Sequence, residues 1–304
     1  MMSAMTLKFN QRRFELITRF SRFRRRLLGL LLIWSISSFG FAGVDAAAEI
    51  SAALCGKTQN SASLPVFSAR LTNALSIDEA YHLQRMAVNE CLDGHRPEGF
   101  KAGLTNPIVQ QKFGVKGAVA GVLLPGMVLH VRSEEGFISS KGFHNGKIEV
   151  EFAFFLKQAV SQPIQTVEEL KGLLAGFAPA IELPDLRFQK HKSLAGSDIV
   201  ASNVAPKAVL IGKTKTISEI PDVNNISARL IHNGLVKQYV GANSVLGDQL
   251  GALLWLINHT VMQGYTIYPD VPLLTGNMGQ LLPLENGIYK VEFSGFEPFV
   301  FVVD

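Results

Sequence analysis

Apolar positions along this chain follow two different periods. After Ser76 they fall at Ala80, Leu83, Met86, Ala87 and Cys91, the spacing of one helix face. Ser76 is placed as N-cap, Asp78 and Glu79 follow in the first turn, and Gly94 ends the pattern. Residues 49–95 therefore read as mostly helical. Two more helices are expected, at 166–174 with Thr166 as cap and at 248–263 before Gly264. Between Glu98 and Gly126 glycine and small residues prevail. Beyond them, short apolar or alternating runs predict strands at 128–131, 148–156, 180–182, 208–211, 226–232, 235–240 and 289–293. A helical lead followed by a strand-rich region predicts an α+β fold.

The run at 148–156 carries two acids, Glu149 and Glu151, among apolar neighbours. A strand puts i and i+2 on one face, so both carboxylates point the same way and Val150, Phe152 and Phe154 the other. Burying two like charges together is costly unless something neutralises them, and a divalent cation does so directly. Glu182, on the short apolar strand at 180–182, is a third candidate ligand. Three carboxylates suit Mg2+ or Mn2+. Zinc is disfavoured, because no Cys or His cluster has its spacing. Asp185 and Arg187 read as a local ion pair at the strand end.

Lys101 lies in Gly99-Phe-Lys-Ala-Gly-Leu-Thr105. Beside a metal-bound substrate it would move a proton or hold an oxyanion. On local pattern alone it reads as a surface lysine on a glycine-rich turn. The stretch 273–277 reads as a strand entering a glycine turn, where backbone can approach a ligand closely. His95, His130 and His144 sit in no assignable motif.

The length of 304 residues allows one large domain or two small ones. The formal net charge of +4 comes largely from Arg12, Arg13, Arg19, Arg22, Arg24, Arg25 and Arg26, so the remainder carries no nucleic-acid footprint. That basic stretch precedes an apolar run to about Phe41 and then small residues, the order of a secretory signal. Cleavage is expected after Ala46-Ala47-Ala48, with Gly40-Phe41-Ala42 as a second option. The apolar run is shorter than the roughly 18 to 20 residues of a membrane span, and an uncleaved anchor is the alternative reading. The expected organisation is a signal or anchor at 1–48, a helical part at 49–120 and a β-roll catalytic domain at 121–304. The protein would be exported, periplasmic or secreted, and membrane-associated only if the N-terminal segment is uncleaved. Cys55 and Cys91 are either two buried thiols or one disulfide, and the even count in an exported chain favours the disulfide.

Eight collinear segments carry a resemblance: Ala-Tyr-His-Leu-Gln at 80–84, Gly-Phe-Lys-Ala-Gly-Leu-Thr at 99–105, Glu-Val-Glu-Phe-Ala-Phe at 149–154, Pro-Ala-Ile-Glu at 179–182, Asp198 to Asn203, Val245-Leu-Gly247, Trp255-Leu256 and Leu-Thr-Gly at 274–276. In these the chain resembles the 2-keto-4-pentenoate hydratase and 4-oxalocrotonate decarboxylase branch of the fumarylacetoacetate hydrolase superfamily, over roughly residues 50–304. The resemblance implies a mixed β-sandwich roll with an N-terminal helical part and a homo-oligomer. It implies Mg2+ or Mn2+ on Glu149, Glu151 and Glu182, Lys101 as the catalytic lysine, and Leu104, Asn203, Gly276 and Asn277 around a small 2-oxo carboxylic acid substrate. The chemistry implied is hydration or decarboxylation through a metal-stabilised enolate. The chain departs from the family pattern at Leu124-Pro125-Gly126, where an acid is usual. It departs again at Ser202, at Ala205-Pro206 and at Asn277. These departures leave a second reading, an exported, catalytically reduced binding protein for a small carboxylate; the nearest enzymatic rival is a C–C hydrolase of acylpyruvate type, which would need a histidine base on a water.

Overall fold

The ten residues Lys147–Leu156 form the strand around which the rest is arranged. The computed structural model describes residues 40–55, 63–69, 75–131, 136–189, 194–219 and 222–304. The basic run and most of the apolar run of the expected signal lie outside the described residues. Ala47–Asp304 makes up one compact unit. None of the described helices is long and apolar enough to cross a membrane.

The elements in chain order are α1 (Gly40–Leu54), α2 (Ile77–Leu92), β1 (Gly99–Gly103), α3 (Pro107–Phe113), β2 (Val119–Leu123), β3 (Val128–His130), β4 (Gly136–Ile138), β5 (Lys147–Leu156), α4 (Val167–Leu173), β6 (Leu174–Leu183), α5 (Gly196–Ala201), β7 (Ala208–Ile211), β8 (Ser227–His232), β9 (Leu235–Gly241), α6 (Gln249–Met262), β10 (Leu273–Leu274), β11 (Leu282–Pro283), β12 (Gly287–Phe293) and β13 (Phe299–Val303). The larger sheet runs β2-β1-β10-β5-β6-β7-β3, with β11 paired to β5. The smaller runs β4-β13-β12-β8-β9. Together with the helices they make a mixed α+β fold of two sheets.

The α2 start is a capping box: Glu79 N–H donates to Ser76 Oγ at 3.2 Å, and Ser76 N–H donates to the Glu79 carboxylate at 2.9 Å. Thr166 caps α4 through its side chain, accepting from Glu169 N–H at 3.1 Å. Cys55, just beyond α1, is disulfide-bonded to Cys91 on α2. β1 and β2 fall in the stretch whose glycines suggested turns. Here glycine permits close packing instead, since a Cβ on Gly99 would sit 2.5 Å from Leu123 Cδ1. β6 is longer than the expected 180–182, because small Ala and Gly residues mask its strand period.

β5 has two buried faces of different character. Ile148, Val150, Phe152 and Phe154 enter the large core shared by the two sheets. Phe152 meets Phe177 of β6 at 5.4 Å and Phe293 of β12 at 5.0 Å between ring centroids, both edge to face. On the opposite face Ala153 joins Ala178, Ala180, Val209 and Leu274 in a smaller cluster. Phe152→Ala is expected to cost roughly 3–5 kcal/mol in chemical denaturation. A loss under about 1 kcal/mol would contradict its place at the contact of the two sheets.

Candidate metal centre

Three strands deliver the acids and the lysine. Glu149 and Glu151 share one face of β5, and Glu182 of β6 lies opposite Glu149 in register. Ala180 lies opposite Glu151 and Ala178 opposite Ala153, so small side chains leave room beside the carboxylates. One oxygen from each glutamate lies within 4.8 Å of the others. Glu151 and Glu182 are fully buried and Glu149 is partly exposed.

Lys101 enters from β1, where local pattern alone suggested a surface turn. It is only 2% exposed. Its partner across the ladder is Gly121 of β2, where a Cβ would come within 2.6 Å of the Asn203 carbonyl. The ammonium donates to Glu182 Oε1 and to the Val204 carbonyl, the latter at 3.0 Å. That carbonyl is presented by an unusual segment. Asn203, Val204 and Ala205 are all left-handed, at φ 60°, 57° and 52°. None is glycine, and Val204 is β-branched, so each costs on the order of 1–3 kcal/mol. Asn203 secures the segment by pairing with both backbone groups of Val122: its Oδ1 accepts at 2.7 Å and its Nδ2 donates at 2.8 Å. No glycine marks this turn in the sequence, and the Val204 carbonyl was not legible there.

The other expected residues take distinct places. Gly276 N–H donates to Glu151 Oε2 at 3.0 Å. At φ 103°, and with Thr105 2.5 Å from where a Cβ would be, that position needs glycine. Asn277 Oδ1 accepts from Gly279 N–H at 2.9 Å and from Val150 N–H at 3.4 Å. Leu104 is left-handed, and its carbonyl accepts from Gln110 of α3 rather than meeting the acids. Asp185 and Arg187 do form a local pair, at 2.8 Å. Among the described residues no histidine joins the three acids.

The charges do not balance within the protein: three carboxylates face one ammonium. Burial, reinforced by the charge of Glu182, pushes Glu149 up to about 8. Burial, with Glu182 and Glu149 adding to it, holds Glu151 well above the usual carboxylate range. For Lys101, burial works to lower the pKa, but the three carboxylates outweigh it and hold the ammonium above its ordinary value. Glu151 and Glu182 each have one oxygen engaged, while Glu151 Oε1 and Glu182 Oε2 are buried without a hydrogen-bond partner. A buried oxygen in that condition is costly. An all-oxygen donor set with unspent lone pairs and excess negative charge fits a hard divalent cation.

No protein-family model matches the chain. A 2-keto-4-pentenoate hydratase of Paraburkholderia phymatum is 26% identical over 220 residues, 71% of this chain and 82% of that protein. In sequence the chain is similar to enzymes of the 2-keto-4-pentenoate hydratase type. Solved structures agree in fold. The 4-oxalocrotonate decarboxylase of Pseudomonas putida, complexed with magnesium and adipate, superposes with TM-score 0.77 at 19% identity, covering 86% of this chain and 97% of that one. Fumarylpyruvate hydrolase of Pseudomonas aeruginosa, with Mn2+ and pyruvate, gives 0.53 at 14% identity, covering 68% and 89%. The chain thus has the fumarylacetoacetate hydrolase type of fold.

The raised carboxyls make a pH prediction. Glu149 titrates near 8 when folded and near 4.5 as a free side chain. In that window the folded state binds more protons than the unfolded one, so metal-free stability falls as pH rises. Thermal melts in EDTA are expected to show this decline between those values, and saturating Mg2+ or Mn2+ to remove most of it. Melting points independent of pH in EDTA would contradict the electrostatic account.

Proposed function

We propose that this protein is a divalent-cation-dependent lyase, a hydratase or decarboxylase, acting on a small 2-oxo or 2-hydroxydienoic acid. The observation that carries the reading is the buried cluster of Glu149, Glu151, Glu182 and Lys101 with two unspent carboxylate oxygens. The hydratase and decarboxylase relatives support the reaction class. Glu149, Glu151 and Glu182 would hold Mg2+ or Mn2+, which when bound supplies Lewis-acid stabilisation of the substrate's enolate and a template for its oxygens.

The chain's own residues do the rest. Gly276 N–H fixes Glu151 Oε2 and leaves Oε1 free for a ligand. Lys101 carries the proton that moves on the dienol skeleton, and the Val204 carbonyl holds its Nζ in place. Asn203 acts through Val204, since its amide is committed to β2. The apolar wall of Leu123, Ala153, Ala178 and Leu274 limits water on this face. The reading includes export, directed by the N-terminal basic and apolar run.

With 2-hydroxypenta-2,4-dienoate as substrate, turnover is expected to vanish in EDTA and return with Mg2+ or Mn2+. Lys101→Ala should lower kcat by about 10²-fold or more, the size of a general acid–base contribution. Turnover indifferent to EDTA, or intact in Lys101→Ala, would overturn the assignment.

A further inference from the structure

The backbone amide that engages Glu151 lies just past the end of its strand. Leu273 and Leu274 of β10 pair with Phe154 and Ala153 of β5. Thr275 N–H then reaches the Phe152 carbonyl only at 3.4 Å, and Gly276 turns away at φ 103°. Ladder pairing has therefore faded where the Gly276 N–H meets Glu151 Oε2. Something other than the sheet must aim that amide.

Two side chains grip the turn. Thr105 packs against Gly276 on one side, with its Cγ2 2.5 Å from where a Cβ would stand. On the other side the Thr275 hydroxyl donates to Gln249 Oε1 at 2.5 Å. Gln249 is the first residue of α6, and both Thr275 and Gln249 are fully buried. Gln249 Nε2 donates to the Ala242 carbonyl at 2.8 Å, and its backbone N–H donates to Asn224 Oδ1 at 2.9 Å. A carbonyl can only accept, so Ala242 fixes which end of the amide faces Thr275 and makes the Thr275 hydroxyl the donor. The loop before α6 also reaches the first side of the grip, since Leu246 N–H donates to the Thr105 carbonyl at 3.3 Å. A buried glutamine with both ends of its amide engaged is a rigid support for the turn.

We propose that Gln249 is a positioning residue for the metal centre: through the Thr275 hydroxyl it holds the Gly276 N–H on Glu151 Oε2, which keeps Glu151 Oε1 turned toward the cation. Gln249 itself touches neither the cation nor the substrate. This rests on the proposed reading of Glu149, Glu151 and Glu182 as metal ligands, and it adds a residue from α6 to their support. Partners that orient a ligand are typically worth about 10- to 100-fold in metal affinity.

Two measurements on EDTA-stripped protein test it: calorimetric titration with Mn2+, and hydrogen exchange at the Gly276 amide before metal is added. Thr275→Val, which keeps the shape and removes the hydroxyl, is expected to weaken Mn2+ binding about tenfold and to speed Gly276 exchange. Thr275→Ser should restore both. Gln249→Leu should match Thr275→Val, and the double variant should be no weaker than either alone, because both changes break one contact. A lowered melting point in Thr275→Val with Mn2+ affinity and Gly276 exchange unchanged would overturn the proposal and leave the pair a purely structural bond. Losses that add in the double variant, or a Thr275→Ser variant as weak as Thr275→Val, would overturn it too. Wild-type protein that binds no Mn2+ would instead overturn the metal-centre reading, and this proposal with it.

Discussion

Glu149, Glu151 and Glu182 bring three negative charges into a space where Lys101 supplies one positive charge. Much of the surrounding structure can be understood as managing that imbalance. Two adjacent strands in register set the acids side by side, and alanines on β6 keep the space beside them open. One oxygen of Glu151 is held by Gly276 and one of Glu182 by Lys101, while the other oxygen of each is left over. Without a further cation the protein compensates by retaining protons, which is why burial drives the carboxyls upward. A divalent ion would let all three ionise at once.

The lysine is held by local strain. Three consecutive left-handed residues without a glycine are an unusual way to turn a chain. Asn203 makes the turn possible by standing in for a neighbouring strand at Val122. The return is a carbonyl aimed at Lys101 Nζ. Strain of this kind is retained where the surroundings over-determine it, commonly at functional sites. The same segment forms part of the wall of a cavity that Arg187 and Lys207 also line.

The acids were legible because two glutamates alternating with Val150 and Phe152 in a strand have few structural uses. The helix caps at Ser76 and Thr166 were legible because capping is local chemistry. Lys101 was not readable from its neighbours. Its flanking glycines signal turns in general, yet here they let β1 approach β2 and β10, a tertiary fact. The left-handed turn at 203–205 left no trace, because its cause is a side-chain pairing with Val122, 81 residues away. The cavity cations were equally hidden: Arg187 read correctly as the partner of Asp185, but nothing in the sequence placed Lys207 beside it.

Mn2+ titrated into EDTA-stripped protein near pH 7, in buffers of different ionisation enthalpy, tests the central claim most directly. The account predicts saturable binding accompanied by proton release, because Glu149, pushed up to about 8, holds a proton that the metal must displace. It also predicts that binding is lost in Glu151→Gln. Absence of binding, or binding that releases no protons and survives Glu151→Gln, would contradict the reading of these three acids as a metal centre.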